Sequence, residues 1–442
     1  MRPSWLKASL AALLVFLSAD VPVRSAEVPP ASHPDATELR RQAERCRNLL
    51  NRSVLNFYLP GSVDAVHGGY LEDWRDGRFV HRGERFLTLQ ARQLWFFATL
   101  AAGNHDRARC LEAAWAGYVF LERAFRDVRL GGYFSKTDDL GVPTDTRKHA
   151  YHNAFALYAL VAYHRATRDR IVLRRAQDLF RTLDQRAHDP RHGGYIEFFH
   201  ADWRPVTNPS ESAYIGAIGT KTYNTHLHLL EAFAALYRVW PDAQLRVRLE
   251  ELIRINTLTV QHPAYRFNLD GWTPDWRPVD SPGNHRASYG HDIECLWLTL
   301  DAVRALGLPE VPLHGWARGL AEYTLRYGYD TEHGGLFYAG EAGQPADDTR
   351  KEWWVQAEAL VGLLELYRIT GRPEHYQAFA RTLDFIEQHQ IAPDGGWWAT
   401  LNENGSAHPN PSRSSMWQGA YHSGRALLLS SQILQTLQPK PN

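Results

Sequence analysis

Histidine, arginine, glutamate and tryptophan residues recur at the start of six strongly apolar segments of this chain. In the stretch SYGHDIECLWL (288–298), His291 and Glu294 lie where a polar loop passes into an apolar run. Ser288, Asp292 and Glu294 would suit the start of a helix, as caps or as partners of its dipole. An imidazole can instead take up and release a proton near neutral pH. The arrangement of the six segments decides between these two interpretations.

The residues at equivalent positions favour a shared site over helix capping. Capping predicts serine, threonine, aspartate and asparagine at each helix start. The six starts carry a different set: Arg92; Tyr151, His152 and Asn153; Asn224 and His228; His291 and Glu294; Trp354 and Glu358; Trp417 and His422. We therefore expect a polar and aromatic pocket where the six helix ends meet.

A paired-glycine motif organises the whole chain. It begins near residues 67, 130, 192, 269, 333 and 394, and turn sequences such as Asp76-Gly77, Leu140-Gly141 and Asn404-Gly405 follow it, which predicts short β-hairpins. Apolar helical stretches then begin near residues 89, 150, 222, 290, 351 and 420, and amphipathic helices such as 171–187 and 375–389 lie between them. Six buried and six amphipathic helices predict an all-α fold, an (α/α)6 barrel over residues 35–438 as a single domain, with the hairpins at one end.

Composition limits the kinds of partner. Among 442 residues, 49 lysines and arginines balance 49 aspartates and glutamates without a basic run, so nucleic acid and anionic membranes are not expected as partners. The 15 tryptophans and 20 tyrosines suit stacking on sugar rings as well as core packing. The histidines lack a metal-site spacing and no glycine-rich phosphate loop is present, so we expect no metal, nucleotide or other cofactor.

The N-terminus has the pattern of a secretory signal peptide. Arg2 and Lys7 precede an apolar run at 10–17, which is too short to span a membrane. We expect a signal peptide over residues 1–26, cleaved near Ala19 or Ala26, export to the periplasm or the cell exterior, and no membrane attachment afterwards. Three cysteines make a disulfide framework unexpected, although a single Cys46–Cys110 bridge stays open.

Four motifs together resemble those of one known family. YNTHLHLLEAF, SYGHDIE, KEWWVQAEA and YHSGRA occur in the order and at the separations typical of the N-acylglucosamine 2-epimerase family, and of its cellobiose 2-epimerase branch. The resemblance implies an (α/α)6 barrel that inverts C2 of the reducing-end sugar of a β-1,4-linked disaccharide without a dissociable cofactor. It leaves open whether the protein is a monomer or a homodimer.

The resemblance also implies roles for individual residues. His291 and His422 correspond to the acid/base pair that moves the C2 proton, and Glu294 would hold His291 or raise its basicity. Arg92, Asn224 and His228 would stabilise a cis-enediolate. The remaining substrate contacts are Trp354, Trp417, Glu358 and Tyr151. His226 points away from His228 and is interpreted as structural, and His67, His192 and His333 as turn residues.

Other activities stay open at this stage. The same family includes N-acyl sugar 2-epimerases and resembles aldose-ketose isomerases that act on mannose, and both reactions use related chemistry. A glycoside hydrolase or polysaccharide lyase on the same barrel would need carboxylates across the scissile bond, for which Glu294 and Glu358 are the candidates near the pocket mouth. A non-catalytic sugar-binding protein would explain the aromatic residues but not the histidines, Arg92 and Glu294.

Overall fold

Within the part of the chain that the structure describes, twelve main α-helices alternate between an inner and an outer layer. A computed structural model of the protein describes residues 32–409 and 411–438. The six inner helices are α2 (Leu87–Ala102), α4 (Ala150–Thr167), α6 (Tyr223–Val239), α8 (Tyr289–Ala305), α10 (Trp353–Thr370) and α12 (Tyr421–Thr436). The six outer helices are α1 (Ala36–Leu49), α3 (Arg107–Phe120), α5 (Arg170–Arg186), α7 (Ala243–Arg254), α9 (His314–Gly328) and α11 (Pro373–Phe385).

Consecutive inner helices pack side by side, and α12 contacts α2, so the inner ring closes. An outer helix packs against each inner one, with α1 against α12. The inner helices are buried around nearly their whole circumference, whereas α5 buries only one apolar stripe. This is the (α/α)6 barrel that the sequence predicts. Within the described residues, no helix has both the length and the apolar character needed to cross a bilayer.

Among the described residues, thirteen short strands lie at the end of the ring where the inner helices begin. They are β1 (Asp73–Arg75), β2 (Arg78–Val80), β3 (Arg85–Phe86), β4 (Lys136–Thr137), β5 (Pro143–Asp145), β6 (Lys148–His149), β7 (Phe198–Phe199), β8 (Lys221–Thr222), β9 (Gly271–Trp272), β10 (Arg286–Ser288), β11 (Ala339–Glu341), β12 (Lys351–Glu352) and β13 (Thr400–Leu401).

The strand pairs connect neighbouring repeats. β1 and β2 form the predicted hairpin, with Asp76 and Gly77 at positive φ in its two-residue turn. Five other strands, β3, β6, β8, β10 and β12, each lead directly into an inner helix and pair with a strand from the following repeat. These antiparallel pairs join the beginnings of adjacent inner helices into one rim. The sequence predicts the local hairpins but not these longer connections.

A buried ion pair recurs beside the paired glycines. The aspartate four residues before the first glycine pairs with the basic residue of the strand that precedes the inner helix: Asp64 with Arg85, Asp127 with Lys148, Asp189 with Lys221, and Asp330 with Lys351. The three lysine Nζ atoms lie 2.7, 2.8 and 2.9 Å from their carboxylate oxygens. Each aspartate also accepts backbone N–H groups of its own turn, including those of His67, His192 and His333. These three histidines are therefore turn residues, as predicted.

The fourth repeat differs from the register that the sequence suggests. The isolated antiparallel β-bridge between Gln261 and Asn268 is equivalent to the β-bridge between Val63 and Tyr70 in the first repeat. Arg266 and Phe267 therefore take the place of the paired glycines, and the Asp270-Gly271 pair belongs to the strand that follows. The prediction of a fourth paired-glycine motif at residue 269 is wrong by several residues, because Asp270-Gly271 only resembles the motif in composition.

All three cysteines, Cys46, Cys110 and Cys295, are buried and free. The Cys46–Cys110 bridge that the sequence left open is absent. The proposed signal peptide at residues 1–26 lies outside the described residues.

Candidate active site

The pocket forms where the first two turns of the six inner helices meet. Aromatic contacts connect its members around the ring: the Tyr151 ring lies 5.1 Å from that of His228, and the His291 ring lies 4.6 Å from that of Trp354. Trp354 in turn lies 6.0 Å from His422. The structure therefore brings the residues predicted from five separate helices into one site.

The fourth residue of each of the five inner helices α2, α4, α6, α8 and α10 has a structural role. Its side chain accepts the backbone N–H of the residue that follows the paired glycines or their equivalent. These residues are Gln90, Asn153, His226, Asp292 and Gln356. His226 accepts from Tyr195 at 2.9 Å and contacts the Thr222 carbonyl through its other nitrogen at 2.7 Å. The interpretation of His226 as structural is thereby confirmed.

Capping does not explain the SYGHDIE motif. The Ser288 side chain caps no backbone N–H group, and its Oγ atom lies 2.8 Å from Nδ1 of His291. Asp292 accepts the Asn268 N–H group at 3.2 Å, outside its own helix. His291 is half-buried and faces the pocket, and the Tyr223 hydroxyl donates to its carbonyl at 2.9 Å. The motif presents an imidazole to the pocket from a supported helix start.

Carboxylates hold two other histidines through Nδ1. His422 Nδ1 lies 2.7 Å from Glu358 Oε1, and His228 Nδ1 lies 3.0 Å from Glu231 Oε2. Because an ionised carboxylate can only accept, Nδ1 carries the proton in both rings. In the described part of the chain, no hydrogen bond occupies Nε2 of His228, His291 or His422. Three imidazoles thus keep a free ring nitrogen.

Burial sets the protonation of the histidines in the pocket. It lowers the pKa of His291 to about 3, with a further contribution in the same direction from the neighbouring His228. It also lowers the pKa of His422 well below its usual range, and the nearby Arg92 and Arg425 act in the same direction. Both rings are therefore neutral at neutral pH. A neutral ring can accept a proton.

Glu294 does not hold His291, contrary to the sequence-based expectation. Its Oε1 atom accepts Arg425 Nη2 at 2.6 Å, and Ser288 takes the place next to His291. Glu358 is likewise not placed as a simple substrate contact. It accepts from Arg425 at 2.7 Å and from Trp297 Nε1 at 3.1 Å, in addition to its contact with His422. The spacing of residues along one helix does not reveal hydrogen-bond partners that come from other helices.

Arg92 is buried, with 3 % of its surface exposed, and lies where α2 meets α12. It donates to the Tyr151 hydroxyl at 2.8 Å and to the Trp417 carbonyl at 2.9 Å. Trp417 lies in the loop before α12, not within the helix, and its ring contacts Phe86 and Tyr151. Trp354 and Trp417 are both half-buried, so each keeps an accessible ring surface at the pocket.

Asn224 is also half-buried at the start of α6, one turn before His228. Its backbone N–H donates to Asp270 at 3.0 Å, and its side-chain Oδ1 has no hydrogen-bond partner among the described residues. His152, by contrast, is fully buried and contacts Ser135 and Phe86. Asn224 therefore has a free polar atom beside the pocket, whereas His152 belongs to the packing around it.

Four residues of the site were missed in the sequence. They are Glu231, Trp297, Tyr421 and Arg425. A spacing of three residues was the available signal: Glu231 follows His228, Glu294 follows His291 and Arg425 follows His422 at that distance. Positions three apart share a helix face, so a charged group is placed below each imidazole.

Two clusters in the described parts of the chain each bring three possible metal-ligating side chains within 4.8 Å of one another: Glu294, Glu358 and His422 in the pocket, and Asp64, His67 and His81 at the first hairpin. In each cluster an arginine already binds the carboxylates, Arg425 in the first and Arg85 in the second. The guanidinium supplies the positive charge that a metal would otherwise bring.

Comparison with known proteins places this pocket in context. The family model described as N-acylglucosamine 2-epimerase (GlcNAc 2-epimerase) matches residues 68–426. The cellobiose 2-epimerase of Bacteroides fragilis is 31% identical over 389 residues, which cover 85% of this chain and 95% of that protein.

Two solved structures share the fold. That of cellobiose 2-epimerase from Spirochaeta thermophila superposes with a TM-score of 0.82 and 33% identity, covering 90% of this chain and 98% of the other. A D-mannose isomerase structure superposes with a TM-score of 0.77 and 22% identity, covering 92% and 100% of the two chains. The second likeness bears on the fold alone.

Proposed function

The chain belongs to the N-acylglucosamine 2-epimerase family, and on that premise we propose that it inverts C2 of the reducing-end sugar in a β-1,4-linked disaccharide of the cellobiose or mannobiose type. The observation that carries the proposal is the pocket itself, in which His291 and His422 each keep a free ring nitrogen and lie 4.6 and 6.0 Å from the same ring, that of Trp354. The similarity to proteins named cellobiose 2-epimerase supports a disaccharide substrate.

The reaction moves one carbon-bound proton. The C2 proton of the opened sugar is weakly acidic because it lies next to the C1 aldehyde. One imidazole takes this proton, the C2–H electron pair forms a C1=C2 double bond, and negative charge moves onto O1. The second imidazole, which has first taken a proton from solvent onto Nε2, returns it to the opposite face of C2, the double bond reverts to the aldehyde, and the configuration is inverted; the first imidazole then releases its proton to solvent. His291 and His422 exchange roles in the reverse direction.

The two imidazoles have different supports. Glu358 stabilises the protonated form of His422, since a carboxylate that accepts from Nδ1 favours the imidazolium. Ser288 is neutral and its hydroxyl can donate or accept, so His291 can present Nε2 with or without a proton. Glu358 is therefore a positioning residue for His422 in this mechanism. Glu294 acts through Arg425 and not through His291.

Fixed polar groups face the charge that develops on the sugar. Arg92 and the Nδ2 group of Asn224 are the donors that we assign to the enediolate oxygens. His228 has its Nδ1 proton bound to Glu231 and its pKa lowered by burial, so its neutral Nε2 accepts a hydrogen bond from a sugar hydroxyl. This changes its expected role from enediolate donor to hydroxyl acceptor. The accessible faces of Trp354 and Trp417 stack on the sugar rings.

The geometry does not favour hydrolysis. A glycosidase needs two carboxylates on opposite sides of the scissile bond, at least about 5 Å apart. Glu294 and Glu358 both accept from Nη2 of Arg425 and thus point to the same nitrogen. An aldose-ketose isomerase would share the enediolate but would return the proton to C1.

Product analysis tests the proposal. The protein is incubated with cellobiose and the sugars are identified by NMR. The expected product is the disaccharide with mannose at its reducing end and the glycosidic bond intact. Release of glucose would establish a hydrolase, a ketose product would establish an isomerase, and either result would overturn the proposal.

We also propose that the protein is exported, on the basis of the charged and apolar pattern at residues 1–26. A fusion of residues 1–30 to a reporter that is active only outside the cytoplasm should be active in a bacterial host. A reporter that stays inactive with this segment would contradict the proposal, and the same reporter without the segment is the control.

A further inference from the structure

A single arginine lies beneath the pocket and contacts three glutamates. Arg425, on the second turn of α12, has only 1 % of its side chain exposed. Nη1 donates to Glu231 and to the Tyr421 hydroxyl, and Nη2 donates to Glu294 at 2.6 Å and to Glu358 at 2.7 Å. The three glutamates come from three different inner helices, α6, α8 and α10. Arg425 thus links its own helix, α12, to three other inner helices.

Two of these glutamates are the carboxylates that hold catalytic-pocket histidines. Glu231 binds Nδ1 of His228 and Glu358 binds Nδ1 of His422. A continuous series of hydrogen bonds therefore runs from His228 through Glu231, Arg425 and Glu358 to His422. Tyr421 fixes the Glu231 end by donating to both of its oxygens, at 2.7 and 2.6 Å. Trp297 fixes the Glu358 end at 3.1 Å and its ring lies 4.7 Å from the guanidinium carbon.

Arg425 is also what allows the glutamates to be close to one another. Burial raises the pKa of Glu294 and of Glu358, and their mutual repulsion adds to this effect for Glu294. Arg425 acts in the opposite direction on both. Without a guanidinium, one or more of the three carboxylates would take up a proton or turn away. At Glu231 or Glu358, either change would disturb the acceptor of an imidazole Nδ1–H group.

We propose that Arg425 is a positioning residue for the epimerisation, which fixes the Nδ1 protons of His228 and His422 by holding Glu231 and Glu358 in place. The Nε2 atoms of both rings are thereby kept unprotonated and directed to the sugar. The lysine ammonium is a compact point charge and cannot reproduce the planar fork of an arginine that binds carboxylates on two nitrogens. The kinetic test of this inference rests on the proposed function, whereas its spectroscopic test does not.

The kinetic test compares Arg425→Lys with Arg85→Lys. Arg85 is a matched control because it is equally buried and bound to a carboxylate, lies outside the pocket, and has lysine at the equivalent positions 148, 221 and 351. We expect both variants to lose some thermal stability. Arg425→Lys should lower kcat on cellobiose by on the order of 100-fold with a change in KM of less than about threefold. Arg85→Lys should keep kcat. An equal effect of the two substitutions on kcat would overturn the proposal.

The spectroscopic test needs no variant at position 425 and no turnover. The ¹⁵N chemical shifts of histidine rings distinguish the Nδ1–H tautomer from the Nε2–H tautomer, and the signals of His228 and His422 are assigned by their loss in His228→Asn and His422→Asn. We expect the Nδ1–H tautomer for both rings in the intact protein at neutral pH. An Nε2–H tautomer at either ring would overturn the proposal, even if cellobiose proved not to be the substrate. A protein that shows the expected tautomers but does not epimerise would refute the proposed function alone.

Discussion

At the residue scale, we expect two kinds of histidine, those that contact the sugar and those that support the fold. His291→Asn and His422→Asn should each lower kcat by about 100-fold to 10,000-fold with the fold intact, because each removes one of the two groups that move the proton. His226→Asn should stay close to the wild type. Its repeat partner Asn153 already accepts the equivalent backbone N–H at 2.8 Å. Steady-state kinetics, with circular dichroism as the check on folding, measure these effects.

If His226→Asn lost as much activity as His422→Asn, this division would be wrong. The face of α6 that carries His226 would then belong to the active site. The distinction between the two kinds of histidine could be predicted from the sequence, because His226 and His228 lie on different faces of one helix. The partners of Glu294 and Glu358 could not be predicted. They depend on Arg425, which reaches them from α12 across the ring.

The tryptophans at the pocket carry a second prediction. Trp354→Ala and Trp417→Ala should raise KM for a disaccharide more than for a monosaccharide, because each accessible ring face is expected to stack on a sugar ring. Kinetics on cellobiose and on mannose would provide the comparison. An equal loss on both sugars would assign the two rings to packing. Trp297→Phe is a different case, since Trp297 is buried and supports Glu358, and it should affect both sugars alike.

At the element scale, the rim of short strands supports the helix starts that form the pocket. Glu197 follows the third paired-glycine motif and accepts hydrogen bonds from Thr222 and Thr225 at the start of α6. The sequence does not reveal such contacts between repeats. A strand of two residues is too short to show a periodic pattern, and its partner strand lies about fifty positions away along the chain. The paired glycines and the Asp76-Gly77 turn could be recognised, because positive φ angles favour glycine and aspartate.

The buried Glu197 makes the stability of the protein depend on pH. Burial raises its pKa in the folded protein from 4.5 to about 8. Between these values the unfolded chain has lost the proton and the folded protein keeps it. This group therefore lowers the free energy of unfolding as pH rises through that interval, by about 1.4 kcal/mol per pH unit. Glu197→Gln removes this titration. The melting temperature of the variant minus that of the wild type should therefore be higher at pH 8 than at pH 5.

Glu251→Gln is the control of opposite sign. Despite its burial, hydrogen bonds from His188 and the Gly194 N–H lower the pKa of Glu251 to about 2. The ionised group therefore stabilises the fold above pH 4.5, and that stability is lost as pH falls through about 2. Its amide variant should melt below the wild type at pH 8. If Glu197→Gln were also destabilised more at pH 8 than at pH 5, the burial argument would be wrong.

At the scale of the whole molecule, six repeats form a closed ring, and closure completes the pocket. Arg92 of α2 donates to the Trp417 carbonyl, and the Gln93 side chain accepts the Ala420 N–H group just before α12. The first and last repeats therefore meet at the site. The number of repeats and the alternation of buried and amphipathic helices were sufficient to predict this architecture. The irregular fourth repeat, with Arg266 and Phe267 in place of paired glycines, was not predictable, since its equivalence depends on one backbone bridge.

The most direct test of the central claim is the reaction in deuterated water with cellobiose, followed by NMR of the recovered sugars. Inversion through an enediolate breaks the C2–H bond and exchanges that proton with solvent through His291 and His422. The epimer formed should therefore carry deuterium at C2 of the reducing-end sugar, with no label at C1 and with the glycosidic bond intact. Unlabelled glucose, or a C2 epimer that retains its original hydrogen, would contradict the account.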